Sequence, residues 1–480
     1  MAVRVAILIS GMPRSFMKYL WPFLKELPEN FHFFLSLPKD QPDQYMNQAC
    51  DITLLTRDPH VKAIYIDTVL PDIRAELTPR EMNTIFQWFR LSELERKVPK
   101  HQYDILVRCR PDITMLQTVS EFQAHFCSQL PDGHIYIPEG HNICNSDIVS
   151  SELVSQCIND QFAYGNEATM RNVYCRMFEN LIIEEGKPII SEHQLYNFLH
   201  KNAVTILRPL LPYKLILSDC TVITISGDSG AGKSTIAKLL TDVLPYDKHL
   251  LFETDRYHKW ERGSANYLSY THLNPYANHL ERLSSDVFSL SIGEDIHAVD
   301  YDHATGRFTS EEHISSAKYL LICGLHTNYE SSVRNISDLK IFVDTEQSLK
   351  EHWKIVRDAG SRGATAEAVK ETIRRRQGDY ETFILPQQQY ANIVIHYFPL
   401  HKDGTFDEIG LSVVLRGEAK DYIDSQLIAI AEAYETSAAQ TQLVFCHPEY
   451  VSRLHHPACH LKEGYTGILQ YIFLCLLWNT

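Results

Sequence analysis

The sequence has no C-x-x-C pair; its 11 cysteines stand singly along 480 residues. That spacing offers neither a zinc site nor a disulfide framework, and predicts reduced thiols in a reducing, cytoplasmic compartment. Basic residues are also in deficit, with 45 Lys and Arg against 60 Asp and Glu and a net charge of −15. Such a balance argues against a nucleic-acid or anionic-membrane surface. Long apolar runs are missing too. The N-terminus alternates into a strand over Val3 to Ser10 without the apolar core of a signal peptide, and the run Ile468 to Trp478 is too short to span a bilayer and contains Gln470. No transmembrane segment is expected, and the C-terminal run reads as a buried helix or strand. The apolar fraction of 44% and charged fraction of 22% are those of a globular protein, and the length predicts two or three domains.

What is present is centred on Thr221-Val-Ile-Thr-Ile-Ser-Gly-Asp-Ser-Gly-Ala-Gly-Lys-Ser-Thr235. An apolar β-type run, a glycine-rich loop and a run of helical spacing follow in the order a phosphate-binding loop requires, and G-x-x-x-x-G-K-[ST] is met in full. Gly227, Gly230 and Gly232 let the backbone turn, so that the N–H groups of Asp228, Ser229, Ala231 and Thr235 and the helix start can face phosphates. Lys233 would reach the β- and γ-phosphates of ATP, and the Ser234 hydroxyl would hold Mg²⁺. A second strand ends in Leu250-Leu-Phe-Glu-Thr-Asp255, which makes Asp255 the candidate base for a hydroxyl attacking the γ-phosphorus. Without the loop, such an Asp reads as a helix cap.

Residues 1–215 alternate short strands (Val3 to Ser10, His32 to Leu37, Ala63 to Ile66, Ile105 to Val107, His134 to Ile137) with a helical stretch over Thr84 to Leu94. An α/β domain with a largely parallel sheet is expected. Ser10-Gly-Met-Pro-Arg14 and Arg108-Cys-Arg-Pro-Asp112 resemble turns of glycosyltransferase-like domains. The resemblance implies a nucleotide-sugar partner, with Arg110 near a diphosphate and Asp112 near its metal. Solvated ion pairs at strand ends account for the same residues.

Residues 216–400 are expected to form a P-loop NTPase domain with a mainly parallel sheet. Thr254-Asp-Arg-Tyr-His-Lys-Trp-Glu-Arg262, Leu273-Asn-Pro-Tyr-Ala-Asn278, Tyr301-Asp-His303, Gly324-Leu-His326 and Trp353-Lys-Ile-Val-Arg-Asp358 resemble, in order and spacing, the phosphoribulokinase and uridine kinase family. The resemblance implies transfer of phosphate from ATP, with Mg²⁺, to a hydroxyl of a small metabolite such as a sugar, sugar phosphate or nucleoside. It gives His258, Arg262, His303 and Arg376 to the acceptor, Arg357 and Arg362 to the transferring phosphate, and Asp358 to the metal with Ser234 and Asp255. Arg374 and Arg375 serve equally as favourable charge at a helix end.

One departure stands out. Cys323 occupies the position where the family carries an acid for Mg²⁺, and a thiol suits that hard ion poorly. Either Asp255 and Asp358 hold the metal between them, or the domain is a nucleotide-binding regulatory module with weakened catalysis. Residues 401–480 read as an extension of unreadable role, with an apolar stripe over Asp424 to Thr436 and histidines at 447, 455, 456 and 460 in no standard zinc spacing.

Overall fold

The structure, a computed structural model, describes residues 3–11, 15–38, 52–67, 77–138, 158–183, 189, 191–217, 220–362, 365–401, 405–422, 425–454 and 461–478. The chain divides into two compact units, Met1–Ile216 and Leu217–Thr480.

The first unit is built on a seven-stranded sheet of β1 (Val5–Ser10), β2 (Phe31–Pro38), β3 (Val61–Asp67), β4 (Ile105–Cys109), β5 (His134–Tyr136), β6 (Phe162–Asn166) and β7 (Thr205–Leu207), in the order β3-β2-β1-β4-β6-β5-β7. β1 is buried throughout, as a parallel strand covered on both faces should be. The sheet is more mixed than expected, because β6 runs antiparallel to both β4 and β5. Helix α1 (Pro79–Lys97) starts at a reciprocal cap in which the Glu81 carboxylate accepts from the Thr78 N–H at 2.9 Å. Arg108 is fully buried and donates to the Ser10 and Cys109 carbonyl oxygens at 2.8 and 2.9 Å. Arg110 grips Asp112 through two hydrogen bonds of 2.8 and 2.6 Å, so these residues form an ion pair between a half-buried arginine and a buried carboxylate. Arg14 lies outside the described residues.

The second unit is an eight-stranded sheet of β8 (Thr221–Gly227), β9 (His249–Glu253), β10 (Tyr319–Cys323), β11 (Leu339–Thr345), β12 (Ile393–Pro399), β13 (Ile409–Arg416), β14 (Ala433–Thr436) and β15 (Gln440–Phe445). Its order is β9-β10-β8-β11-β12-β13-β15-β14; β9 to β12 and β8 run parallel, and the last three strands are antiparallel. β8 therefore has a parallel neighbour on each side, and its C-terminal end opens where ligands bind in parallel α/β sheets. Helix α2 (Lys233–Val243) follows β8, and α3 (Gln347–Arg362) and α4 (Ala366–Asp379) follow β11.

The segment after residue 400, set apart as an extension by its sequence, is built into this sheet and its core. The stripe expected over 424–436 is helical only over Ser425–Ile430; Ala433–Thr436 instead pairs with β15 as an edge strand. The final helix α5 (Gly464–Trp478) is apolar around its circumference, the mark of a helix surrounded by protein. Leu469, Ile472 and Phe473 pack in one core with Ile236 and Leu240 of α2. Among the described residues no helix is long and apolar enough to cross a membrane. His455, His456, Cys459 and His460 lie outside the described residues.

Candidate active site

The turn between β8 and α2 depends on glycines. Gly227, Gly230 and Gly232 have φ of +143°, +82° and +99°, a region that side chains disfavour. A Cβ on Gly227 would lie 2.1 Å from the Val343 carbonyl oxygen of β11, so the loop can pass the neighbouring strand only as glycine. Gly232 caps α2, Lys233 opens it, and the Lys233 ammonium donates to the Asp228 carbonyl oxygen at 2.9 Å. Thr345 ties the loop to β11 by donating to the Ala231 carbonyl oxygen at 3.0 Å.

The Asp228 carboxylate faces inward. It lies 3.1 Å from Lys350 and 3.5 Å from Lys354, one turn apart on α3, and accepts from the Ser229 N–H. Burial alone would raise its carboxyl, but Lys354, Lys350 and Lys233 together hold it below the usual range. Burial lowers Lys354 to about 8. Asp228 thus anchors the loop through its side chain, which leaves its N–H as the only group it offers a phosphate. The sequence reading missed both lysines; their i, i+4 spacing was a weak signal.

Asp255 stands in the turn after β9. Gly324, just past β10, admits the Thr254 side chain, for a Cβ there would lie 1.6 Å from its hydroxyl oxygen. The two strand ends consequently abut, and Asp255 enters the same cavity as Lys233 and Ser234, a space of about 340 Å³. His303 approaches one Asp255 oxygen at 3.2 Å and His258 the other at 3.5 Å. Burial pushes the Asp255 carboxyl up, yet His258, His303 and Lys233 outweigh it and hold the group well below the carboxylate range. Asp255 is an anion at neutral pH.

Contacts with Asn278 fix the His258 ring. Asn278 donates through its amide nitrogen to the His272 and Asn274 carbonyl oxygens, each at 3.0 Å, so its Oδ1 faces His258 Nδ1 at 2.8 Å as an acceptor. Burial keeps the His258 imidazole below its ordinary value despite Asp255 nearby. Arg262 donates to the His303 carbonyl oxygen at 2.9 Å and so holds the hairpin that carries His303. Arg376 lines the cavity, and its Nε has no hydrogen-bond partner among the described residues.

Arg357 also reaches the cavity, but Asp358 is not among its lining residues; its carboxylate accepts from Arg357 Nε at 2.8 Å. The Arg362 side chain lies outside the described residues. Cys323 is buried, and burial raises its thiol to about 12; sulfur is a poor partner for Mg²⁺, which prefers oxygen.

Sequence reasoning also missed Glu253, the register partner of Cys323 on the neighbouring strand and a wall of the same cavity. Burial and the charge of Asp255 raise its carboxyl above the usual range. Among the described residues no three His, Cys, Asp or Glu side chains are grouped to hold a metal by themselves. Ser234, Glu253 and Asp255 supply hydroxyl and carboxylate oxygens, a donor set that fits Mg²⁺ shared with the phosphates of a nucleotide.

The fold and loop define a P-loop nucleotide-binding unit. Residues 222–402 match the model of the Phosphoribulokinase / Uridine kinase family. The phosphoribulokinase of Synechocystis sp. is 34% identical over 183 residues, covering 38% of this chain and 55% of that protein. A uridine kinase of Borrelia hermsii is 29% identical over 181 residues, covering 36% of this chain and 85% of the kinase. Among solved structures, the phosphoribulokinase from Rhodobacter spheroides aligns with a TM-score of 0.42 and 21% identity over 54% of this chain and 96% of that one. The chain spans about half the length of the phosphoribulokinases it matches.

Proposed function

We propose that the second unit is an ATP-dependent kinase that phosphorylates a hydroxyl of a small metabolite: a sugar, a sugar phosphate or a nucleoside. One observation carries the reading: Asp255 faces the same cavity as Lys233 and Ser234, so a carboxylate meets the phosphate cradle. The loop N–H groups and Lys233 bind the triphosphate, and Arg357 adds charge where the phosphoryl group moves. Asp255 accepts a hydrogen bond from the acceptor hydroxyl and takes its proton as the oxygen–phosphorus bond forms. His258 and His303 hold Asp255 in place, and Arg376 is the free donor for a polar group of the acceptor. A Mg²⁺ bound with the nucleotide would neutralise phosphate charge, with Ser234 and, through water, Glu253 and Asp255 as its partners on this chain.

The test is mass spectrometry of a metabolite extract incubated with ATP, comparing wild type with Lys233→Ala and Asp255→Asn. A phosphorylated product is expected from wild type only. Asp255→Asn should still bind ATP while turnover falls about 10²–10⁴-fold, the usual contribution of a general base. Unchanged turnover in Asp255→Asn would remove Asp255 from this role. The neutral, buried thiol of Cys323 favours a second reading, a nucleotide-binding regulatory module; it predicts ATP binding with no product over a broad acceptor panel.

A further inference from the structure

A second cavity, of about 580 Å³, opens from the other side of the phosphate loop. It shares Gly230, Lys233, Ser234 and Arg357 with the cavity that holds Asp255, so the two meet at the phosphate cradle. Their chemistry differs. The Asp255 cavity is walled by carboxylates, imidazoles and guanidinium groups, whereas the second is walled by Trp353, Tyr397, Tyr465, Ile409 and Leu469, with Glu463 and Thr466 also lining it.

This wall is composite. Trp353 and Tyr397 meet edge-on with ring centroids 5.7 Å apart, and both lie within the family region 222–402. Ile409 and residues 463–469 lie beyond that region, at β13 and the first turns of α5. Tyr465 is locked in place, because its hydroxyl is used inside the protein, donating toward the Ile409 and Phe445 carbonyl oxygens at 2.6 and 3.1 Å. Its ring, not its hydroxyl, is what the cavity can use. A ligand whose phosphates lie on the loop and whose remainder is a flat heteroaromatic ring has only one of the two cavities suited to that ring.

We propose that the start of α5, with Glu463 just before it, completes a subsite for the base of the nucleotide together with Trp353 and Tyr397. This rests on the kinase reading above and adds a role for the C-terminal segment. Stacking of one base on aromatic side chains typically adds about 5- to 150-fold in affinity.

The experiment compares the affinities of ATP and inorganic tripolyphosphate for wild type and Thr466→Trp, with melting temperatures to confirm folding. Thr466 is half-buried, so the change removes no core packing. Wild type should bind ATP about 5- to 150-fold more tightly than tripolyphosphate. Thr466→Trp, which fills the subsite, should abolish that surplus and leave tripolyphosphate affinity unchanged. Equal affinity of wild type for ATP and tripolyphosphate, or a Thr466→Trp protein that retains the ATP surplus, overturns the subsite while leaving the kinase reading intact. Wild type that binds neither ligand overturns both.

Discussion

Glu253→Gln removes one negative charge from the phosphate site and keeps the side chain's size. Glu253 is paired in register with Cys323, and neighbouring strands lie about 4.8 Å apart. Its carboxylate is thus about one strand's width from the position where the family places an acid and this chain has a protonated thiol. Burial and the Asp255 charge both disfavour the ionised Glu253, and a divalent cation relieves both at once. Removing a carboxylate that orients a metal's surroundings lowers metal affinity about 10- to 100-fold, or about 1.4–2.8 kcal/mol. The assay is titration of Mn²⁺ in the presence of ATP, followed by electron paramagnetic resonance, beside ATP affinity in excess chelator. Glu253→Gln should lose the metal term and leave chelated ATP affinity equal or slightly higher. The double variant Glu253→Gln/Cys323→Asp, which moves the acid one strand across, should recover Mn²⁺ affinity. An Mn²⁺ affinity within twofold of wild type in the single variant would refute the reasoning, whatever the double variant does.

Three other perturbations test the frame around the site. Gly227→Ala combines φ of +143° with a Cβ 2.1 Å from a backbone oxygen, so stability should fall by about 3 kcal/mol and ATP affinity with it, read by denaturant titration and calorimetry. His326 is buried, and burial lowers its imidazole from 6.5 to about 4, so the folded state favours the neutral ring. Its contribution is complete above the unfolded value and is lost as pH falls toward 4; between about pH 7.5 and pH 5 the loss is about 2 kcal/mol. His326→Gln keeps an amide N–H for the His272 carbonyl oxygen and should show an acid loss smaller by that amount in urea titrations at the two pH values. Phe473→Ala in α5 should cost about 3–5 kcal/mol by the same method, since the side chain is fully buried in the core shared with α2; a loss under 1 kcal/mol would show α5 to be dispensable to the fold.

The loop was legible in the sequence because everything it needs is contiguous: an apolar strand, glycines at the turning points, and Lys233 at the head of a helix. Asp255 was legible because a strand end fixes where the next side chains go. Features that depend on pairing were not. Lys350 and Lys354 brace Asp228 from 122 and 126 residues along the chain, a contact that exists only once α3 packs over the loop. Glu253 gains meaning from the register of β9 against β10, and parallel strands buried on both faces carry no alternation to reveal that register. α5 shows no polar face, so its sequence announces burial without saying against what.

The low proton affinity of Asp255 bears on what kind of base it can be. A carboxylate held this far below its usual range takes a proton from an alcohol only when that alcohol has become acidic by bonding to phosphorus. Phosphoryl transfer through a loose transition state asks for little more, because bonding to the attacking oxygen lags behind departure of the leaving group. The histidines on either side then make sense together: they keep Asp255 ionised and fixed, so that it aims the hydroxyl before it accepts the proton.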